Sequence, residues 1–314
     1  MFKNKEYVLA VAREGGFSAA ARQMYVSQPS LSASIKRIEE KISVPLFDRS
    51  STPVSLTEAG REYVQYALKI EDAERAFSQY ISDHYHIVTG TVRIGGSSFF
   101  SSFIIPKMIA AFNKEYPHIS AEIFENKTDV LLEKLHGGAL DIVIDNAITN
   151  DEQLTATVFK SEKVLLAVPK HYDINKTLAS RRLTREDIAK NKHLNDECCV
   201  EIESFKSEPF ILLKPTNDTG KRAETIFKNH KITPDVRYYL DQQLTAFNVS
   251  GSGMGISFVS DTLIKRLDSS PPLYFYRLAD EQTERNIFFY VKENHYLSKV
   301  CQRFIEVNKQ AAPY

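Results

Sequence analysis

The sequence GFSAAARQMYVSQPSLSASIKRIEEKISVPLFDRSSTPVSLT, residues 16–57, decides how the rest of the chain is interpreted. It predicts two short helices joined by a tight turn and followed by a loop rich in turn-forming residues. Ser18 is a suitable N-cap for the first helix, and Ser27 for the second. Pro29 is tolerated in the first turn of the second helix because the amides there have no helical partners.

The second of these helices has one apolar and one polar face. Leu31, Ile35 and Ile38 recur at helical spacing and are expected to face a core. The opposite face carries hydroxyls and an amide near its start and cations further along: Gln28, Ser30, Ser32, Ala33, Ser34, Lys36 and Arg37. This composition suits a helix whose N-terminus enters the major groove of DNA, but an ordinary surface hairpin would show the same spacing.

The segments on either side extend this pair into a small domain. Residues 2–14 predict a first helix that packs under the pair, as in a helix-turn-helix core. After the pair, residues 48–53 form a turn cluster, and residues 54–56 return as a short extended piece. This is the outline of a wing whose tip would place Arg49 beside a phosphate or in a minor groove, and a plain loop is the alternative.

Thr57 predicts the cap of a long helix, in which Glu58 complements the helix dipole. Seven residues of this helix follow alternating steps of three and four: Tyr63, Tyr66, Ile70, Ala73, Phe77, Tyr80 and His84. Over about three heptads, this spacing indicates a coiled-coil seam that dimerises the chain. The alternative is an amphipathic helix lying on its own domain, since aromatic residues are unusual in a tight two-stranded coil.

The composition is that of a soluble globular protein with two or three domains. The chain has 314 residues, of which 43% are hydrophobic and 25% charged. Its 40 basic and 40 acidic residues give no net charge, which argues against a general polyanion-coating protein. Nine basic and seven acidic residues leave +2 over residues 1–66. No apolar run reaches the ~18 residues of a membrane span, and the N-terminus lacks a secretory signal, so no membrane partner is expected.

Downstream of the long helix, the pattern changes to alternating strands and helices. The expected strands are 91–95, 117–124, 140–145, 158–168, 209–213, 235–240, 255–259, 274–278 and 286–291. The expected helices are 104–116, 128–137, 219–230, 242–249, 261–267 and 297–308. This order predicts α/β units with parallel strands, whose ligands bind outside the carboxyl ends of the strands. Ser97, Ser98 and Thr128 lie at two such ends.

Together these features resemble the LysR-type transcriptional regulators over nearly the whole chain. The most specific motifs are Ala19-Ala20-Ala21, Ser27-Gln28-Pro29-Ser30-Leu31-Ser32 with Ile35, Leu46-Phe47 with Arg49, and Leu56-Thr57-Glu58-Ala59-Gly60. The later part of the chain resembles the family moderately, through Ile105-Pro106, Phe112, Tyr116-Pro117, Gly138–Asp141, Pro209-Phe210-Ile211 and Gly253–Ile256.

The resemblance implies a multi-domain α/β protein. Residues 1–57 would form a winged helix-turn-helix, 58–88 a linker and dimerisation helix, and 89–314 an effector-binding sensor of the periplasmic-binding-protein type. Subdomain I of the sensor would span residues 91–162 and 266–314, and subdomain II residues 163–265, with crossing segments at 164–168 and 259–262 serving as a hinge.

The same resemblance implies the partners. A small effector in the cleft would modulate the binding or bending of an inverted-repeat operator in double-stranded DNA by a homodimer or homotetramer, with RNA polymerase as a further partner. Separately, the three cysteines do not make a disulfide framework, so we expect a reducing cytoplasm. The DNA-binding residues implied are Ser27, Gln28, Pro29, Ser30, Ser32, Ser34, Lys36, Arg37 and Arg49.

Candidate effector-binding residues come from both halves of the expected sensor. They are Ser97, Ser98, Phe99 and Thr128 in the first half, and Phe210, Ile211 and Gln242 in the second. A helix N-terminus lined by hydroxyls suits a carboxylate, so an organic anion is the candidate effector. The alternative is that the hydroxyls only cap helices and Phe99 only packs in a core.

Several positions depart from the family. Ala33 stands where a basic residue is frequent, Ser43 where glycine is frequent, and Ser260 where proline is frequent. The 189–208 segment is longer than usual by about fifteen residues, which is typical of a functional or disordered loop. It contains Cys198 and Cys199, whose acidic neighbours raise thiol pKa values, so we expect packing thiols rather than a redox switch.

No catalytic or metal site is expected. The eight histidines show no metal-site spacing, and no nucleophile, base and orienting group occur together, so we expect neither an enzyme nor a cofactor. The competing hypothesis is a small-molecule-binding or enzymatic α/β protein whose N-terminal helices form an interaction module. Loss of residues 1–57 would then leave its cellular function intact.

Overall fold

The computed structural model describes residues 1–50, 53–84, 90–149, 151–267, 271–293 and 296–310. The chain divides into two compact units. The first contains the N-terminal helices and the long helix, and the second contains nearly all of the α/β part.

The N-terminal unit is a three-helix core followed by a two-stranded wing and the long helix. Its elements are α1 (Lys5–Glu14), α2 (Phe17–Gln23), α3 (Gln28–Ile42), β1 (Phe47–Asp48), β2 (Ser55–Leu56) and α4 (Glu58–His84). The predicted core face of α3 is confirmed, because Leu31, Ile35 and Ile38 are buried. They pack with Ala20 and Ala21, whose small side chains let α2 approach α3 closely.

The sequence predicted the N-cap of α3 correctly but not that of α2. Ser27 caps α3 as expected: its Oγ accepts a hydrogen bond from the amide of Ser30 over 3.3 Å. The prediction that Ser18 caps α2 is wrong, because the helix already begins at Phe17 and Gly16 is the extended residue before it. The aromatic side chain of Phe17 packs against Phe47, which favours an earlier start for the helix.

The wing is present over the described residues. Phe47 pairs with Leu56 and Asp48 with Ser55 in an antiparallel ladder, while Ser51 and Thr52 at its tip lie outside the described residues. Thr57 caps α4, since its Oγ1 accepts the amide of Gly60 over 3.0 Å. Gly60 also permits close packing, because a Cβ there would lie 2.0 Å from the carbonyl oxygen of Leu46.

The long helix α4 is divided between the core and the surface. Tyr63 is buried and stacks on Phe2 at 4.8 Å, so its assignment to a coiled-coil seam is wrong. The cause is the N-terminal segment, which covers the first two turns of α4. Further along, Tyr66, Phe77 and Tyr80 are 54%, 66% and 49% exposed. The last predicted residues of the linker, 85–88, lie outside the described residues.

The C-terminal unit alternates strands and helices, as predicted. Its first half contains β3 (Gly90–Gly96), α5 (Ser98–Phe103), α6 (Ile105–Glu115), β4 (Ile119–Glu125), α7 (Thr128–His136), β5 (Ile142–Asp145) and β6 (Leu154–Pro169). The middle contains α8 (Ile174–Thr177), α9 (Arg185–Ala189), β7 (Cys199–Val200), β8 (Pro209–Leu213), α10 (Asp218–Asn229), β9 (Asp235–Leu240) and α11 (Gln243–Gly251). The chain continues with β10 (Ile256–Ser260), α12 (Asp261–Arg266), β11 (Leu273–Leu278), β12 (Glu284–Lys292) and α13 (Lys299–Gln310).

One long strand, β6, belongs to both halves of the sheet. Its residues 154–163 pair with β12, which also pairs with β5, and the order continues through β3 to β4. Its residues 164–167 pair with β10, followed by the parallel strands β8 and β9. The expected two α/β halves are therefore confirmed, and β6 runs through both of them.

The sheet pairing differs from the expected subdomain boundary at β11. The sequence placed all residues after 266 with the first half, but β11 pairs with residues 165–169 of β6 and with β7. The reason is that β10 occupies one edge of this part of β6 and leaves the other edge open. β12 then returns to the first half.

The 189–208 segment is folded rather than disordered. It contains the end of α9, three turns of 3-10 helix at Lys192–Leu194, Asp196–Cys198 and Ile202–Phe205, and the strand β7. Val200, Ile202 and Phe205 are buried in the core of the second half. Within the described residues, no helix has the length and apolar character needed to cross a membrane.

Candidate DNA interface and effector site

The first turn of α3 is presented on the surface of the N-terminal unit. Ser27, Gln28, Pro29 and Ser30 are exposed, whereas the next residue, Leu31, is fully buried. The first amides of a helix lack helical acceptors and carry a partial positive charge. Since Ser27 satisfies the amide of Ser30, the turn is fixed in position while its outer side chains face solvent.

The cations of α3 follow on the same helix. Arg37 is exposed and makes no ion pair within the described residues, and Lys36 lies 3.8 Å from Glu40. Ser32 and Ser34 are half-buried, so their hydroxyls are less accessible than that of Ser30. The structure thus brings the predicted side chains of α3 onto one helix, with the neutral polar groups nearest its start.

Arg49 follows β1 and is held by two contacts. Its Nη2 lies 3.0 Å from Oε2 of Glu39, and its guanidinium stacks over the ring of Phe17 at 4.9 Å. Oε1 of Glu39 accepts the amide of Leu46 over 2.8 Å, so the carboxylate is itself fixed. The side chain of Arg49 remains 47% exposed, and its position in the wing is set by residues of α2 and α3.

In the C-terminal unit, the predicted hydroxyls face carboxylates. Ser98 Oγ donates to Oε1 of Glu125, and Thr128 Oγ1 donates to Oδ2 of Asp145 over 2.9 Å. Asp145 is 2% exposed, and burial raises its pKa. Ser97 precedes α5 but makes no side-chain cap. The hydroxyls of Ser98 and Thr128 therefore already have acidic partners.

Three apolar predictions do not fit the structure. Phe210 and Ile211 are 0% and 1% exposed, because both faces of the central strand β8 are covered, and they pack in core clusters instead of lining a cleft. Phe99 packs against Phe100 and Phe103 at ring distances of 5.2 and 5.9 Å. Its core alternative is the one that fits.

The polar effector-binding residue predicted at the start of α11 was Gln242. Gln242 is the half-buried residue before the helix and makes no side-chain cap. The next residue, Gln243, is buried instead: its Nε2 donates to Thr219 over 3.4 Å, and its Oε1 accepts the hydroxyl of Ser260 over 3.1 Å. Gln243 thereby connects the starts of two helices, α10 and α12.

Sequence reasoning missed a buried ionic network that joins the two halves of the sheet. Arg285 on β12 donates to Glu162 on β6 over 2.7 Å. Its Nη1 donates to Asp218 over 2.7 Å and to Thr219 over 2.9 Å, at the start of α10. The available signal was a pair of opposite charges in otherwise strand-like segments, which buried strands carry only when the charges are paired.

The charges near this network are mainly negative. Asp145, Glu162 and Asp218 face two guanidiniums, those of Arg285 and Arg222. Oε2 of Glu162 is buried and has no hydrogen-bond partner within the described residues. A buried oxygen without a partner is costly, so this region favours a ligand that donates hydrogen bonds.

The remaining candidate chemistry is limited. Within the described residues, no group of three His, Cys, Asp or Glu side chains is arranged to hold a metal ion. Burial raises the pKa of Cys198, whose Sγ donates to the carbonyl of Asn195. A raised thiol pKa disfavours the reactive thiolate, and its main cause here is burial rather than the acidic neighbours that the sequence suggested.

Curated relatives align over almost the whole chain. The chain is 26% identical over 310 residues to the uncharacterized HTH-type transcriptional regulator YcgK of Bacillus subtilis, covering 98% of this chain and 94% of the relative. It is also 26% identical over 303 residues to a probable RuBisCO transcriptional regulator of Synechocystis, covering 94% and 82%. These relatives are named as transcriptional regulators, in agreement with the prediction that the chain is not an enzyme.

Solved structures share the fold. Full-length OxyR of Pseudomonas aeruginosa superposes with a TM-score of 0.74 at 17% identity, covering 98% of this chain and 94% of that one. CbnR, a LysR family transcriptional regulator, gives a TM-score of 0.67 at 18% identity with full coverage of both chains. The effector-binding domain of QuiR in complex with shikimate gives 0.57 at 14% identity, covering 71% and 96%.

Two family matches account for both units. Residues 2–61 match the bacterial regulatory helix-turn-helix protein, lysR family, and residues 87–313 match the LysR substrate binding domain. The winged helix-turn-helix and the two-halved α/β sheet have the architecture that these matches describe. The chain therefore belongs to the LysR family of transcriptional regulators, with a DNA-binding helix-turn-helix and an effector-binding domain.

Proposed function

We propose that α3 and the wing read an inverted-repeat operator, and that a small-molecule effector in the sensor alters this binding. The observation that carries the proposal is the exposed first turn of α3, in which Ser27 fixes the backbone and Gln28 and Ser30 face solvent. An amide side chain at the start of a helix can contact base edges in the major groove. The helix N-terminus and Arg37 would contact phosphates.

Residues 1–66 carry a charge of only +2, and phosphate contacts supply much of the affinity for DNA. Tight binding therefore requires several DNA-binding domains on one operator. We propose that the exposed aromatic residues of α4 pair two chains and that two such dimers form a tetramer. Tyr66, Phe77 and Tyr80 form the exposed stripe that supports this. RNA polymerase would be contacted from this assembly on promoter DNA, in the cytoplasm.

The effector is proposed to bind at Ser98 and Thr128, where Asp145, the partner of Thr128, interacts electrostatically with Arg285. The carboxylates of Glu125 and Asp145 already accept from the two hydroxyls, and Glu162 has an oxygen without a partner. An organic anion would be repelled by these groups. A polar molecule with hydroxyl or amino donors fits them better.

Operator recognition is tested by a mobility-shift and footprinting assay on the promoter region of its own gene. The full chain should bind a specific site, with affinity that falls steeply as salt rises. Gln28→Ala should reduce the preference for this site over unrelated DNA by about 5- to 100-fold, whereas Gln65→Ala on the exposed side of α4 should not. Equal affinity for all sequences would contradict the proposal.

Effector binding is tested by thermal shift of the full chain against polyhydroxylated and amino compounds. A ligand that binds only the folded protein raises the melting temperature by mass action. Thr128→Val should remove this shift. Thr225→Val, which changes a half-buried residue of α10 whose hydroxyl donates to the carbonyl of Lys221, should preserve it. If only simple carboxylates stabilise the chain, and Thr128→Val loses this stabilisation, the effector is instead an organic anion, as the sequence predicted.

A further inference from the structure

Two adjacent cysteines lie where a 3-10 turn meets the short strand β7. Cys198 is the last residue of the turn, Cys199 is the first residue of the strand, and both residues are half-buried. Neither of them forms a disulfide. Both thiols are therefore partly accessible to small molecules from solvent.

The pairing of β7 with β11 fixes the face of the sheet on which Cys199 lies. Val200 is opposite Leu278 in the parallel ladder, and both are buried in the core of the second half. Cys199 is opposite Arg277. Since successive side chains of a strand point to opposite faces, Cys199 and Arg277 share the face that is turned away from this core.

Cys198 lies on the same face, beside the guanidinium. Its Sγ lies 3.7 Å from the carbonyl oxygen of His193, and Nη1 of Arg277 donates to that oxygen over 3.2 Å. Cys198 also packs against the core cluster that contains Phe275, which precedes Arg277 by two residues on β11 and so shares its face. Both Cys199 and Arg277 interact electrostatically with Cys198. Two thiols and one guanidinium therefore meet at one place.

The guanidinium of Arg277 is buried but has a donor to spare. Its side chain is 9% exposed, and its Nη2 lies 2.9 Å from Oδ1 of Asp196 and 3.5 Å from Oε1 of Glu284. Its buried Nε has no hydrogen-bond partner within the described residues. A buried donor without an acceptor is costly, so a ligand oxygen at this place would be stabilised.

Two neighbouring thiols suit a soft, thiophilic atom that needs few ligands from the protein. A structural zinc ion requires four ligands, and across the described part of the chain no third His, Cys, Asp or Glu side chain joins the pair to hold a metal ion. Trivalent arsenic bonds strongly to two thiols and keeps its third bond to a hydroxyl group. The oxygen of this hydroxyl is an acceptor for the spare donor of Arg277.

We propose that Cys198 and Cys199 form a dithiol site for arsenous acid, in which Arg277 donates to the hydroxyl that stays on arsenic. Two As–O bonds break and two As–S bonds form, and each thiol gives its proton to a departing hydroxyl, which leaves as water. Arsenic stays trivalent, so neither an oxidant nor a reductant is needed. The reaction starts from protonated thiols, which are the form that burial favours at Cys198.

The test is equilibrium dialysis of the full chain against sodium arsenite, with a phosphine as thiol-free reductant and arsenic measured by mass spectrometry. One arsenic per chain should bind saturably. Cys198→Ser and Cys199→Ser should each weaken binding about 100-fold or more, because no second thiol then closes the ring at high effective concentration. Cys301→Ala, which removes the remaining cysteine and keeps the pair, should bind like the parent.

Phenylarsine oxide separates the role of Arg277 from that of the thiols. Once it is bound to two thiols, its arsenic carries a phenyl group in place of the hydroxyl and offers no oxygen to the guanidinium. Arg277→Lys should therefore weaken arsenite binding about 3- to 10-fold and leave the binding of phenylarsine oxide unchanged. Unchanged binding of phenylarsine oxide also shows that the variant is folded around the pair.

The proposal is overturned if the parent does not bind arsenite saturably, or if Cys198→Ser and Cys301→Ala bind it with equal affinity. Equal losses of both arsenicals in Arg277→Lys would overturn the assignment of the hydroxyl to the guanidinium. Operator DNA takes no part in these measurements, so a failure of the proposed regulatory function would leave their outcome unaffected.

Discussion

At the scale of single residues, the position of Arg49 in the wing depends on the planar shape of its guanidinium. It stacks on Phe17 and pairs with Glu39, and a lysine could keep the charge but not the stacked geometry. We expect Arg49→Lys to weaken operator binding about 3- to 10-fold and to change the free energy of unfolding by less than about 1 kcal/mol.

Mobility shift and urea unfolding measure these two quantities. Arg37→Lys is the matched control, because Arg37 makes no such contacts within the described residues, and it should weaken binding less than Arg49→Lys does. Equal losses for the two variants would mean that only the charge of Arg49 contributes.

His230 provides a pH-dependent contact at the end of α10. Its Nδ1 lies 2.7 Å from Glu203 and its Nε2 3.1 Å from Asp280, and these carboxylates, Glu203 foremost, raise its pKa above the usual 6.5. The stabilisation is therefore complete below about pH 6.5 and is lost as the pH rises through the raised pKa of the folded state. The same contact lowers the pKa of Glu203, so that part of the stabilisation is lost at acidic pH.

Urea unfolding of the parent and His230→Gln at pH 6 and pH 8.5 checks this contact. The parent should have the higher midpoint at pH 6, and the difference should shrink at pH 8.5. A difference that is independent of pH would show that His230 contributes through packing rather than through its charge.

At the scale of elements, α3 ends in a strained residue. Ser43 has φ 62°, in the left-handed region that a glycine occupies at lower cost. Ser43→Gly should therefore stabilise the N-terminal unit by about 0.5–1 kcal/mol, after allowance for the greater freedom of glycine in the unfolded chain. Chemical denaturation measures the change, and Ser43→Ala should give no such gain. Destabilisation by Ser43→Gly would show that the hydroxyl has an unrecognised role.

Elements with local signals were predicted well, and contacts made across the fold were not. The cap at Ser27, the apolar spacing of Leu31 and Ile35, and the strand at 209–213 all depend on neighbouring residues. The burial of Phe210 depends instead on helices that cover both faces of β8. The meeting of Arg285 with Asp218 depends on a return of the chain over 67 residues, which spacing does not reveal.

At the scale of the whole molecule, the exposed stripe on α4 should control assembly. Phe77 is 66% exposed, so Phe77→Glu costs little folding energy but places charge in an apolar contact between chains. We expect Phe77→Glu to form smaller species by size-exclusion chromatography with light scattering. Its affinity for an inverted repeat should fall about 10-fold or more, because two DNA-binding domains no longer bind as one unit.

Phe77→Leu, which keeps an apolar side chain, should assemble like the parent. An unchanged mass for Phe77→Glu would show that the stripe on α4 does not join the chains.

The sharing of β6 by both halves also affects how the protein is made. Residues 154–163 find their partner in β12, which is the last strand of the described chain, so the first half of the sheet lacks a central strand until residues 284–292 have left the ribosome. The helix-turn-helix core, the wing and α4 are complete about 200 residues earlier and can fold during synthesis. A nascent chain therefore carries a folded DNA-binding head before its sensor exists, and a prematurely terminated product would retain the head without the part that regulates it.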